Sequence, residues 1–291
     1  MSTPALIMVL LSGVAHVGWN YLMTRAGDQE AFVWWMQVAM AVLFAPLAVL
    51  IFLSEPISPL GWLFVFGTTL IHTFYFLFLA RGYASGDLSQ VYPIARGTGP
   101  ALVPILGVLL LGEKVSLPAV AGIAAIVAGV LFVYWTGRMA SILTDPLQFL
   151  SEPGVRYAIA TGICISGYSI WDKLGVEHVA PFLYMHLMSL GVAIMLAPYI
   201  VRRRGIPALW SAWRANPRAI AAAAVLTFLA YGLVLSALQL AQVSYVWPAR
   251  EIGIVIAVVL GSLVLKEPSG RGRLLGSCLI VLGIGTIAVF P

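Results

Sequence analysis

Two arginines of this chain fall where the core of a bilayer should be. Arg250 ends the stretch Val246-Trp247-Pro248-Ala249-Arg250, and Arg96 ends a near copy, Val91-Tyr92-Pro93-Ile94-Ala95-Arg96. Both stretches lie inside long apolar segments. At roughly 1.5 Å of rise per residue, each arginine sits about 10–14 Å deep in a core ~30 Å thick. A cation there costs about 2.5–3.5 kcal/mol on insertion scales, so it marks a site by default. The planar guanidinium binds phosphate, phosphonate or carboxylate through two parallel hydrogen bonds. Two of them converging from opposite faces would form an anion clamp. Pro93 and Pro248 each precede an arginine by a turn or less and act as helix-distorting residues, each freeing a carbonyl that a cavity or neighbouring helix must satisfy. Glu251 is the carboxylate set well inside a helix, and it is either a proton-coupling group or a structural partner. The plainer alternative to a clamp is that Arg250 pairs with Glu251 or another polar group while Arg96 snorkels.

Other polar residues gather on helical faces. His16, Trp19 and Asn20 are spaced i, i+3, i+4 and share one face near mid-membrane. Such a face must point inward, either lining a cavity with a titratable imidazole or locking helix packing. His16 is thus a second coupling candidate. The matching face of the sixth apolar segment offers Tyr168, Ser169, Trp171 and Asp172, the last nearer the segment end. Tyr92 and Trp247, beside the prolines, either stack on a substrate or pack. His72, Tyr75, Tyr184 and His186 are weaker candidates, and Trp34 and Trp35 fit an interfacial aromatic belt.

The elements that hold these residues are membrane helices. Of 291 residues, 61% are hydrophobic and 9% charged, with a mean hydropathy of +1.00. A soluble domain carries about 25% charged residues, which excludes one here. Ten segments are apolar enough to span, at about 4–25, 31–53, 59–81, 88–111, 116–136, 155–176, 179–201, 218–240, 243–265 and 271–290. The one long connection, 137–154, divides them five and five, giving a first repeat over 1–136 and a second over 155–291. The halves match in more than hydropathy. Ser12, Gly13 and Gly18 align with Thr161, Gly162 and Gly167, and Ala45-Pro46 aligns with Ala197-Pro198. Gly107, Glu113, Gly122 and Gly129 align with Gly261, Glu267, Gly276 and Gly283 in one register after the arginines. Five is odd, so the second copy enters from the opposite face. The expected fold is therefore all-α, ten transmembrane helices in two inverted five-helix repeats, with a site at the midplane between them.

The net charge of +5 and a pI near 9.4 reflect basic residues in loops, and no nucleic-acid module is present. Arg25, Arg81, Arg138, Arg156, Arg202 to Arg204, Arg214, Arg218, Lys266, Arg271 and Arg273 fall on one face, against Lys114 and Lys173 on the other. The positive-inside rule makes the first face cytoplasmic and puts both termini outside. The N-terminus lacks a signal-peptide pattern, so the first segment reads as a permanent helix. The glycine stripe Gly122, Gly129, Gly276 and Gly283 reads as a packing surface for repeat docking or dimerisation. Glu113 and Glu267 read as boundary charges. Cys164 and Cys278 read as small buried hydrophobes, and no metal cluster, nucleophile elbow or phosphate loop is present.

The block Ala15-His16-Val17-Gly18-Trp19-Asn20, the run from Pro93 to Glu113 with Gly122 and Gly129, and its repeat from Pro248 to Gly283 resemble the drug/metabolite transporter superfamily, in its EamA-like branch. The resemblance covers the whole chain. It implies a basket of inverted repeats around a central cavity, alternating access, no ATP hydrolysis and no cofactor. Members move amino acids, nucleotide sugars, sugar phosphates or amphipathic drugs, and some similar bacterial proteins accompany phosphonate-utilisation genes. The expected function is secondary transport of a small anionic or zwitterionic metabolite across the inner membrane. Arg96 and Arg250 would hold the anion, while Trp19, Asn20, His16, Tyr92, Trp247 and Tyr168 shape the cavity. The expected partners are that solute, the lipid bilayer and protons, in a monomer or homodimer. Export of neutral or amphipathic drug-like compounds is the first alternative, and a membrane receptor or scaffold without transport is the second.

Overall fold

A computed structural model describes residues 1–85, 88–135, 150–263 and 270–291. The described residues are all helix and connection. In chain order the helices are α1 (Thr3–Thr24), α2 (Gln29–Leu43), α3 (Ala45–Ser54), α4 (Pro59–Ser85), α5 (Leu88–Leu111), α6 (Leu117–Trp135), α7 (Pro153–Gly175), α8 (Pro181–Arg204), α9 (Ile206–Ala215), α10 (Pro217–Leu240), α11 (Val243–Ala249), α12 (Ile252–Leu263) and α13 (Arg271–Val289). Their starts follow local chemistry. Proline opens α4, α7, α8 and α10, where its missing N–H costs nothing. Asp28 accepts from Ala31 N–H at 3.1 Å and caps α2, and Ser58 and Ser116 cap α4 and α6 in the same way. Gly112 and Gly205 end α5 and α8 at φ of 66° and 75°, a conformation that side-chain-bearing residues avoid.

Eight helical stretches are long and apolar enough to cross a membrane, and nine if the pair α2–α3, bent by 51°, is one span. The chain is thus a multi-pass membrane protein. Ten expected segments become eight or nine because α7, which fills the sixth, carries Arg156, Asp172 and Lys173 among its serines and threonines. Polarity disqualifies it as a span on hydropathy, and packing buries most of that polarity. The bend after α2 falls beside Pro46, whereas α8 continues unbroken through the matching Pro198. One element falls in a stretch expected to be loop. The short helix α9 packs Trp213 and Trp210 against Trp35 at 5.1 Å each.

Packing pairs the two halves. α1 lies along α10, and α4, the counterpart of α10, lies along α7, the counterpart of α1. α6 lies along α13 with the glycines in contact. A Cβ on Gly122 would come 2.8 Å from the Gly283 carbonyl oxygen, and one on Gly129 would come 2.6 Å from that of Gly276. Rising numbers on one helix meet falling numbers on the other, so these equivalent helices run antiparallel. The stripe therefore docks the halves within one chain. Glu113 does more than mark a boundary. Its carboxylate accepts from the Val243 and Ser244 N–H groups at 2.8 and 2.9 Å and caps α11 across the repeat interface. Glu267 and Lys266 lie outside the described residues, as does Arg138.

Candidate functional site

Helix ends α1, α4 and α8 and the start of α2 surround a cavity of about 440 Å³ that opens to the arginine-rich face. Its inner wall is built by the face expected from spacing alone, His16, Trp19 and Asn20 of α1, with Tyr75, Phe76, Thr161, Ile165 and Arg96 opposite. The α1 face is knit by its own hydrogen bonds. Trp19 Nε1 donates to His16 Nδ1 at 3.1 Å, and Asn20 Nδ2 donates to the His16 carbonyl at 2.8 Å. Spacing left open whether this face locks packing or lines a cavity, and it does both. Trp34, placed by sequence in an aromatic belt, also lines the cavity and donates to the Ala193 carbonyl at 3.0 Å. At the mouth, Arg203 and Arg204 pair with Glu30 and Asp28 at 3.0–3.4 Å, contacts that spacing within either segment does not reveal.

The two arginines part company here. Arg96 lines the cavity and its Nη2 reaches Glu251 Oε2 at 3.3 Å. Arg250 is absent from the lining and only 6% exposed. Its guanidinium lies over Trp247 at 4.8 Å and over Tyr231 at 5.5 Å, contacts in which a cation meets the electron-rich face of a ring. The pairing is thus the reverse of the plainer expectation, in which Glu251 took Arg250. His16 and Glu251 both lie within electrostatic reach of the two arginines. Of the two cations, Arg96 faces the cavity.

Backbone explains the difference. α5 stays helical through position 93, so Arg96 projects from a regular helix. In the second copy the helix breaks after Ala249. The N–H groups of Glu251, Gly253 and Ile254 bond carbonyls three residues back, those of Pro248, Arg250 and Glu251. That tightened turn aims Glu251 at Arg96. The side chains of Tyr92 and Pro93 lie outside the described residues. Trp247 and Tyr168 are buried beyond the cavity and touch edge to face at 5.5 Å.

Beyond them, among the described residues, aromatic rings fill the space. Phe64 stacks on His178 at 5.2 Å and meets Trp171 at 5.0 Å, while Phe228 stacks on Phe44 at 3.6 Å and contacts Phe182. Asp172 is fully buried there, accepting from Tyr184 and Tyr231. His72 stacks on Tyr168 at 4.1 Å, and His186 is buried on α8. Among the described residues, one half is hollow and the other is sealed by packed aromatic rings.

Comparison with known proteins agrees with this architecture. A solved crystal structure superposes with a TM-score of 0.73 at 16% identity, covering 98% of this chain and 99% of that one, which bears on fold alone. Over 56 residues, 19% of this chain, the sequence is 43% identical to multidrug resistance protein EbrB of Bacillus subtilis and equally to that of Bacillus atrophaeus. That match spans 48% of each relative's length, just under half. The model of the EamA-like transporter family matches residues 3–135 and again 152–289. With both halves matched, the chain belongs to the EamA-like transporter family.

Proposed function

We propose that this protein is a secondary active transporter for a small anionic or zwitterionic metabolite, such as an organophosphate, a phosphonate or an amino acid. It works by alternating access between two inverted five-helix repeats of ten spans in the inner membrane. The arginine-rich face is cytoplasmic and both termini lie outside, so the cavity described above faces the cytoplasm. The observation that carries the reading is Arg96 in the cavity wall, with a second arginine, Arg250, buried against Trp247 and Tyr231. A site for cations would present a carboxylate there. Instead the deep carboxylate, Glu251, is 2% exposed and held by Arg96, and the acids at the mouth are held by Arg203 and Arg204. An incoming phosphonate or carboxylate would replace Glu251 on the Arg96 fork, with Trp19, Asn20 and His16 shaping the space around it.

The test is thermal stabilisation of the purified protein by a panel of phosphonates, sugar phosphates, carboxylates and amino acids, because a native-state ligand raises the midpoint by mass action. Arg96→Gln alone would strand Glu251, so the control is Arg96→Gln combined with Glu251→Gln. An anion-specific shift that this pair abolishes supports the reading. Export of amphipathic compounds is the second reading, favoured by the EbrB likeness and the aromatic wall of Trp19, Trp34, Tyr75 and Phe76. Shifts with amphiphiles that survive the paired substitution would replace the first reading with the second.

A further inference from the structure

Asp172 takes no part in the cavity, yet it is a carboxylate with 0% exposure in the sealed half. Its oxygens accept from hydroxyl groups of two other helices. Oδ1 accepts from Tyr184 of α8 at 2.8 Å, and Oδ2 accepts from Tyr231 of α10; the Tyr184 hydroxyl also lies 3.2 Å from the Phe64 carbonyl oxygen. Among the described residues no lysine or arginine forms an ion pair with it. Lys173, its neighbour in sequence, turns instead to the Leu238 and Ala241 carbonyls at 2.6 and 3.4 Å. Glu251, the other enclosed carboxylate, has Arg96. An anion without a countercharge at membrane depth is expensive, and a neutral asparagine could hold the same helices together at lower cost.

The donors are arranged for an ionised carboxylate. His72 Nδ1 lies 3.0 Å from both the carbonyl and the hydroxyl oxygen of Thr68. That contact holds the Thr68 hydroxyl on His72 and leaves Tyr184 and Tyr231 as the donors to Asp172. The remaining groups around the cluster are Tyr168 on the same helix, Arg250 over the Tyr231 ring and His178 on Phe64. Two O–H groups thus point at one carboxylate. A proton from the outer solvent, added to either oxygen, makes that oxygen a donor, so the tyrosine hydroxyl must accept there and turn its own hydrogen elsewhere, as Tyr184 can toward the Phe64 carbonyl. The charge-assisted bonds become neutral ones, and the tie between α7 and the helices carrying those hydroxyls weakens. Proton binding and loosening of the seal become one event.

We propose that Asp172 is a proton-binding site that couples protonation to opening of the sealed half, a role separate from the anion site at Arg96. Its use for coupled transport rests on the transporter reading, but the site can be tested without flux. Infrared difference spectra between mildly acid and mildly alkaline buffer are recorded on the full-length protein in lipid vesicles. A protonated buried carboxyl gives a carbonyl band that appears on acidification, and Asp172→Asn should abolish it. Hydrogen–deuterium exchange, corrected for the intrinsic pH dependence, should rise several-fold on acidification in the segments holding Trp171, Tyr184 and Tyr231. Asp172→Asn should show the raised exchange at both pH values. Should Asp172→Asn fail to fold, Tyr231→Phe removes one donor and should shift the band to higher pH. A band unchanged by these substitutions, or wild-type exchange indifferent to pH, would overturn the proposal. A protein that shows the band but moves no solute keeps this site and loses the transporter reading, whereas one that moves solute without the band does the reverse.

Discussion

The two proline–arginine stretches began as copies, and they now occupy opposite circumstances. In the first, an unbroken helix delivers Arg96 to an open cavity, where it is 14% exposed and paired with a carboxylate. In the second, a helix break buries Arg250 under aromatic rings and points the next residue, Glu251, at the other copy's arginine. The first repeat has Gly97 where the second has Glu251, so the acid that pairs with the first copy's arginine comes from the second copy. A chain of two matched halves whose described cavity opens on one face must place equivalent residues in inequivalent surroundings. The difference between the arginines belongs to the conformation as much as to the sequence.

The sharpest way to break this comparison is to remove Arg96. Arg96→Ala should destabilise by about 3–5 kcal/mol, because it leaves an enclosed Glu251 uncompensated. Adding Glu251→Gln should restore most of the loss in thermal unfolding of the purified protein. If the second substitution restores nothing, Glu251 is served equally by Arg250 and the two cations are not distinct. Next in size is Arg250→Met, which forfeits the contacts over Trp247 and Tyr231. With ring and cation both desolvated, the expected cost is about 2 kcal/mol. That cost should depend on Glu251→Gln far less than the Arg96 cost does, and a double-mutant cycle reads this directly. Coupling as large as that of Arg96 would show that Arg250 shares the acid equally. The smallest effect is expected at the cavity mouth. Glu30→Gln disrupts partly exposed pairs with Arg203 and Arg204 and should cost about 0–1 kcal/mol, vanishing as salt is raised.

Much of the fold is legible in the sequence because bilayer thickness and duplication constrain it twice. Apolar length places the spans, and matched glycines, prolines and charges place the halves. The His16, Trp19 and Asn20 wall follows from helical spacing, since a polar face in an apolar helix has nowhere else to point. What escapes is tertiary. Asp172 is visible as an acid near a helix end, but Tyr184 and Tyr231 come from other helices and no spacing links them to it. The pairing of Arg96 with Glu251 depends on a helix break that a proline permits without locating. The α9 helix hides in a basic loop, although Leu209, Trp210 and Trp213 are spaced as one apolar face after Pro207.

The glycine seam between α6 and α13 carries one more consequence. Gly122 meets Gly283 just as Gly276 meets Gly129, so exchanging the two halves returns the same contact. That is the symmetry of an isologous interface between identical subunits, here folded into a single polypeptide. The halves thus hold one another through a surface that each already possesses, and the peptide connecting them chiefly keeps the partners at high effective concentration. Ancestry by gene fusion would require no new interface, only a tether between two subunits that already recognised each other.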